Sequence, residues 1–165
     1  MKTAALFAAA TRVGACLGNK SKKSKPSLYT VNAYTLLGIL NKDKGHYISS
    51  LNNYLKALNV SEKINDTARI SACYNNIGSI YKLQENYPKA FEISKKVLQI
   101  REETKNIRGQ ISSLQEIATI LEVMKDYFSA QNQLDRARAL ALSINDNISI
   151  SEIDLNLSSI LLRMK

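Results

Sequence analysis

An all-α array of stacked helix pairs is the fold class this sequence predicts, and three observations carry it. First, a pattern of apolar and small residues returns every forty positions across residues 28–165. It is clearest in Tyr74–Ala90; ahead of that stretch lie Tyr34, Leu37, Gly38, Tyr47 and Ala57, and behind it Leu114, Ile117, Ala118, Tyr127, Ala130 and Ala137. A fixed period of this size marks repeats that each bury their apolar face against a neighbour. Second, the apolar residues inside each unit recur three and four positions apart, which is helical spacing. Third, the 165 residues include only six Gly and two Pro and no Trp, a composition that disfavours a turn-rich all-β chain.

Residues 1–27 read as a basic leader. Lys2, Arg12, Lys20, Lys22, Lys23 and Lys25 stand there without an acid, so most of the net charge of +9 lies outside the repeats. The remaining 17 basic and 14 acidic residues are nearly balanced. A nucleic-acid-binding fold would concentrate basic charge on one face, and no nucleic-acid partner is expected. The apolar run Ala4–Ala10 is far shorter than the roughly 20 residues of a spanning helix. It approaches a signal-peptide core, and Val13-Gly14-Ala15-Cys16 resembles a bacterial lipoprotein cleavage box in which Cys16 would be lipidated. Arg12 sits between the run and the box, which opposes export. Two readings stand: a disordered basic tail, with the chain in the cytoplasm, or a segment that exports the chain or anchors it to a membrane.

The repeats are expected at about 28–65, 66–105 and 106–145, with a half repeat at 146–165, making seven helices. In the second, helix A runs from about Thr67 to Leu83, with Ile70, Cys73, Tyr74, Ile77, Ile80 and Tyr81 on one stripe. Helix B runs from about Tyr87 to Arg101, with Ala90, Phe91, Val97, Leu98 and Ile100 apolar. Gly38, Gly78, Ala118 and Ser158 share one register; a mid-helix Gly costs about 1 kcal/mol against Ala, so small residues there predict close approach by another helix. Asp66, Asn106 and Asp146 precede A helices as N-caps, and Ser27 fills the same place in the first repeat. His46, Asn86 and Asp126 occupy the A-to-B turns, and Pro88 suits the first turn of a B helix. This placement makes the one histidine a turn residue. Cys73 shares its register with Ala33 and Ser113, which predicts a buried, inert thiol. Two cysteines are too few for a disulfide framework and lack zinc-site spacing.

The last helix, about Ile148–Met164, carries two apolar stripes. Ile150, Ile153, Leu157, Ile160, Leu161 and Met164 are expected to pack backwards onto the third repeat. Ile148, Leu155 and Leu162, seven apart, are left over, and such a face usually meets a partner. Two expectations follow, a homodimer through this helix or a chain that is part of a longer protein.

Tyr74-x2-Ile77-Gly78-x2-Tyr81 with Ala90 resembles the tetratricopeptide repeat signature, with Tyr in place of the usual Trp. Tyr34-x2-Leu37-Gly38 followed by Tyr54 and Ala57, and Leu114, Ile117, Ala118, Leu121, Ala130, Leu134 and Ala137, are weaker copies. The period of forty exceeds the usual thirty-four, and the Pro near the repeat end is missing. This longer form is similar to repeats of bacterial sensor kinases and regulators and of adaptors such as kinesin light chains. The resemblance implies a right-handed superhelix whose A helices line a concave groove for a peptide or partner protein. Groove positions carried over by register are Asn32, Thr35, Ile39 and Lys42; then Asn75, Asn76, Ser79 and Lys82; then Ser112, Gln115, Glu116, Thr119 and Glu122; and then Glu152, Asn156 and Ser159. Amide side chains there can donate to and accept from a peptide backbone. Lys42 and Lys82 are expected to lie one above the other beside an acidic ligand group. Some members hold a C-terminal carboxylate in a clamp of Lys, Asn and Arg. Here only Asn76 matches, and Glu116 would repel the ligand.

The function expected is a non-enzymatic protein-interaction scaffold without cofactor or metal. The alternative is the input module of an exported or membrane-associated bacterial signalling protein that lacks its output domain. No Gly-rich phosphate loop, metal-ligand cluster or nucleophile–base pair is present to suggest catalysis.

Overall fold

The computed structural model describes residues 27–164, and the leader residues 1–26, Cys16 among them, lie outside it. Seven α-helices follow one another: α1 Leu28–Asp43, α2 Tyr47–Lys63, α3 Thr67–Leu83, α4 Tyr87–Glu103, α5 Ile107–Val123, α6 Tyr127–Ser143 and α7 Asn147–Arg163. No strand occurs among the described residues. The B helix of the second repeat runs two residues beyond the expected Arg101, and the last helix starts and stops one residue early. After α1, every helix has 17 residues and every turn has three.

The turns explain this regularity. Gly45, Asn65, Glu85, Lys105, Lys125 and Asn145, spaced by twenty, all adopt positive φ. At each, the following N–H reaches back to the last turn of the helix, as in His46 N to Asn41 O (2.8 Å), Asn86 N to Tyr81 O (2.8 Å) and Asp146 N to Ala141 O (2.9 Å). This six-to-one bond, with one left-handed residue inside it, closes a helix and uses carbonyls that would otherwise be orphaned. The next residue then starts another helix. Asp66, Asn86, Asn106, Asp126 and Asp146 each accept a backbone N–H three residues on. Ser27 departs from expectation: its hydroxyl pairs with that of Thr30 at 3.1 Å and makes no cap bond to the backbone. His46 also caps by its backbone alone.

The chain divides between Ile80 and Tyr81 into two compact units. In the first, Val31, Ala33, Tyr54, Ala57, Leu58, Cys73, Ile77 and Ile80 form the buried core. Gly38 is where α1 and α2 meet most closely: a Cβ there would lie 2.4 Å from the Tyr54 ring. Ser50 donates its buried hydroxyl to the Gly38 carbonyl at 2.7 Å. The Tyr54 hydroxyl is buried without a partner among the described residues, and burial pushes its pKa up. Cys73 is buried 4.0 Å from Ser61 Oγ, and burial raises its pKa as well, which keeps it a thiol.

The second unit is built on Leu98, Ile111, Leu114, Ile117, Ala118, Leu121, Ala130, Leu134, Ala137, Ala141, Ile153 and Ile160, with Ile150 and Leu157 packed against them. Two expectations for α7 fail here. Leu161 and Met164 are 48% and 46% exposed, because the packed stripe is narrower than the run of apolar residues. Ser158 is exposed, and its hydroxyl donates to its own helix at Asp154 O. A small residue marks close approach only where a helix stands opposite, and none does at Ser158 among the described residues.

Candidate functional site

The groove expected from the A helices was carried over by register, and the residues fall as follows. In the first unit Asn32 and Asn75 are exposed, while Thr35, Ile39, Lys42, Asn76 and Ser79 are half-buried. The polar side chains of Asn32, Thr35, Asn75, Asn76 and Ser79 make no hydrogen bond among the described residues. They alternate with the buried Cys73, Ile77 and Ile80 on α3, so one helix divides its faces between core and surface.

In the second unit neighbouring A helices are tied by ion pairs. Lys82, at the end of α3, pairs with Glu116 of α5. Glu122 of α5 meets Arg163 of α7 at 3.2 Å, and Arg108 meets Asp146 at 3.8 Å. Two expectations are corrected by the first pair. Lys82 is already neutralised by Glu116 and does not present a free ammonium to a ligand. Glu116 in turn is no bare carboxylate. Both side chains remain more than a third exposed, so the pair adds at most about 1 kcal/mol of stability. Ser112 and Thr119 donate their hydroxyls to Arg108 O and Gln115 O of their own helix. The amide of Gln115 has no partner among the described residues, and the same holds for Glu152, Asn156 and Ser159.

The forty-residue register also relocates the leftover stripe of α7. Leu155 stands where the earlier A helices have Thr35, Asn75 and Gln115, and Leu162 stands where they have Lys42, Lys82 and Glu122. Ile148, Leu155 and Leu162 are 76%, 72% and 71% exposed. In sequence register, the stripe therefore continues the positions expected to line a groove, with apolar chemistry. Counting by forties would have found this in the sequence; reading the row only as left over from the packed stripe concealed it.

Two further features carried no expectation. Arg101, half-buried near the end of α4, donates from one terminal nitrogen to Gly109 O (2.8 Å) and Ser113 Oγ (2.6 Å), and Gln110 Nε2 donates to its carbonyl at 3.1 Å. Burial lowers its pKa. Between α4 and α6 a cleft of about 600 Å³ has Phe91, Leu98 and Ile117 in its lining. Its rim charges are mostly paired, Lys95 with Glu92 at 3.3 Å and Arg136 with Glu102 at 3.4 Å, which leaves little net field for a charged ligand. Among the described residues no three His, Cys, Asp or Glu are placed to hold a metal ion, and no helix is long and apolar enough to cross a membrane.

Residues 29–103, the span of α1–α4, match the tetratricopeptide repeat. Over that span the chain is a tetratricopeptide-repeat array. Its helical array is similar to BtubC (BKLC) from P. vanneervenii, at a TM-score of 0.78 and 19% identity over 96% of this chain and 66% of that one. It is similar to the apo form of RapI at 0.79 and 14%, over 96% and 56%. It is also similar to the Rap conjugation gene regulator of plasmid pLS20 in complex with the Phr* peptide, at 0.67 and 16%, over 89% and 42%. At these identities the likeness is one of fold, and the chain spans two thirds or less of the length of each. No curated protein matches the chain in sequence. Tetratricopeptide repeats are in general non-enzymatic interaction modules.

Proposed function

We propose that this tetratricopeptide-repeat chain is an interaction scaffold that takes an extended peptide segment of a partner protein on its A-helix faces. One observation carries the reading. Asn75, Asn76 and Ser79 on α3, all within the first unit, hold polar groups at groove register without intramolecular partners among the described residues, while the residues between them are committed to the core. Amides with both functions free suit recognition of peptide backbone, whose N–H and C=O alternate. The Rap regulator of pLS20, which shares the fold, is in complex with the Phr* peptide; that supports this class of ligand and does not identify it.

The test is binding of partners isolated from the native host to the full chain, compared with an Asn75→Ala, Asn76→Ala, Ser79→Ala variant. These side chains are surface groups, so circular dichroism should be unchanged. Loss of each backbone-directed bond lowers affinity by about tenfold or less, and the triple change is expected to abolish capture of a micromolar partner. Partners that bind the variant as well as the parent would remove the groove from this account.

A further inference from the structure

Between α1 and α2, within the first unit, lies a cleft of about 530 Å³ lined by Tyr34, Asn52, Leu55, Lys56, Asn59 and Val60. Lys56 is the only charged residue in the lining. Its ammonium stands over the Tyr34 ring, 5.7 Å from the centroid, and has no ion pair among the described residues. The amides of Asn52 and Asn59 likewise have no hydrogen-bond partner among the described residues. Asn52, Lys56 and Asn59 are spaced by four and three, which sets them along one stripe of α2. Leu55 and Val60 supply an aliphatic wall beside it.

The second unit gives the contrast. Forty residues on, the same register holds Glu92, Lys95, Lys96 and Gln99, which also line a cleft. There Lys95 pairs with Glu92 at 3.3 Å, Gln99 donates to Glu103 at 2.9 Å, and Lys96 is engaged as well. Polar groups that α4 satisfies within the chain are left open on α2.

We propose that the cleft between α1 and α2 binds a small organic carboxylate with an aliphatic body. The carboxylate accepts a charge-assisted bond from Lys56 and N–H bonds from the amides of Asn52 and Asn59. The aliphatic chain lies against Leu55 and Val60. One ammonium balances one carboxylate, whereas a phosphate dianion would keep a charge uncompensated. A neutral ligand would leave the ammonium without a counter-charge, and the same ammonium repels a cation. The Tyr34 face is already taken by Lys56, which favours an aliphatic body over an aromatic one. No residue assigned to the peptide groove lines this cleft, so the proposal does not rest on that reading.

Octanoate is the probe, titrated into the isotope-labelled full chain and followed by two-dimensional NMR. It is expected to shift the side-chain amide signals of Asn52 and Asn59 with a Kd of roughly 0.1–1 mM, as suits a small ligand in an open site. Lys56→Gln should weaken binding about tenfold or more, and Lys56→Arg should restore most of it. Lys95→Gln, in the cleft of the second unit, should leave the affinity unchanged. Octanamide, which keeps the chain and loses the charge, should bind as weakly to the parent as octanoate does to Lys56→Gln. Silence of both amides up to about 10 mM octanoate would overturn the proposal. Equal binding of octanamide would remove the carboxylate from it, and equal shifts with inorganic phosphate would remove the aliphatic body. Shifts centred on the exposed row of α7 instead would place the ligand elsewhere and overturn it too.

Discussion

Replacing Gly38 by Ala sets two known effects against each other. In a helix interior the change is worth about 1 kcal/mol in favour of Ala. At this position the new methyl would stand 2.4, 2.6 and 2.8 Å from three ring carbons of Tyr54, where carbon atoms rest at about 3.5–4.0 Å. The ring would have to retreat by roughly 1 Å. Tyr54 is fully buried, so the ring has no free space to enter, and overpacking of this kind typically costs about 1–3 kcal/mol and sometimes more. The overlap should win. Gly38→Ala is expected to destabilise the chain by about 1–2 kcal/mol net of the propensity gain.

The third repeat supplies the control. There the same register holds Ala118 and Leu134, both buried in the core of the second unit. Tyr54→Leu should therefore reverse the sign of the Gly38 effect. In that background Gly38→Ala should stabilise by up to about 1 kcal/mol, a coupling of about 2–3 kcal/mol between the two positions. Urea unfolding of the four chains, followed by far-UV circular dichroism, measures this directly. Because repeat arrays can unfold in stages, only midpoints from transitions with equal slopes should be compared. If Gly38→Ala alone stabilises the chain, or if its effect is the same with Leu at position 54, then contact with Tyr54 is not why this position is Gly.

The remaining predictions concern the turns. Glu85 has φ of 56°, a conformation that costs an L-residue about 1 kcal/mol; Glu85→Gly should raise the urea midpoint by the equivalent of about 0.5 kcal/mol after the larger entropy of an unfolded Gly is allowed for. A fall of the same size would show that this residue is not left-handed in solution. Asp66 accepts from Arg69 N at 3.1 Å and pairs with the Arg69 guanidinium at 2.8 Å, and the bond from that backbone N–H, with the guanidinium beside it, holds the carboxyl below its ordinary pKa. A depressed carboxylate contributes stability above the unfolded pKa of about 4 and loses it as pH falls through the folded value. Asp66→Asn keeps an acceptor without the charge, so parent and variant should differ most above the unfolded pKa of about 4 and converge as pH falls through the depressed folded value. Parallel stability curves would exclude the charge as the source.

The features legible in the sequence were those in which one residue type answers one geometric demand. Asp66, Asn106 and Asp146 were readable as caps because a short acceptor is what an exposed helix start requires. Gly38 was readable because nothing larger fits. The left-handed turn residues were only partly readable. Gly45, Asn65 and Asn145 suit that conformation, but Glu85, Lys105 and Lys125 are placed in it by the six-to-one bond rather than by their own preference. Arg101 was hidden for another reason. A basic residue in the last turn of a helix looks like a solvated complement to the dipole, and only the position of α5 shows that its guanidinium turns inward to Gly109 and Ser113. Surface pairing was the least legible of all. Lys82 and Glu116 lie 34 residues apart, and their contact depends on where one A helix ends beside the middle of the next.

These junctions bear on how a nearly periodic chain avoids stacking out of order. At the contact between one repeat and the next, Ser61 meets Cys73 and Arg101 meets Ser113; at the same register Ala141 and Ile153 are both fully buried. Helix lengths and turns are almost identical throughout, so backbone geometry alone would tolerate a slip of forty residues. Side chains would not. Arg101 opposite Ile153 would lose its Ser113 acceptor and press a guanidinium against an aliphatic surface. Ser61 opposite Ser113 would leave a void where the arginine stem had been. An unpaired charge held in such a place costs several kcal/mol, comparable to the whole stability of a small domain. Arg101 adds little to affinity between correct neighbours, since its own desolvation offsets its hydrogen bonds. Its effect lies in the penalty it sets on every wrong pairing, which lets equal-length repeats keep a single order and hold the A-helix faces in one sequence.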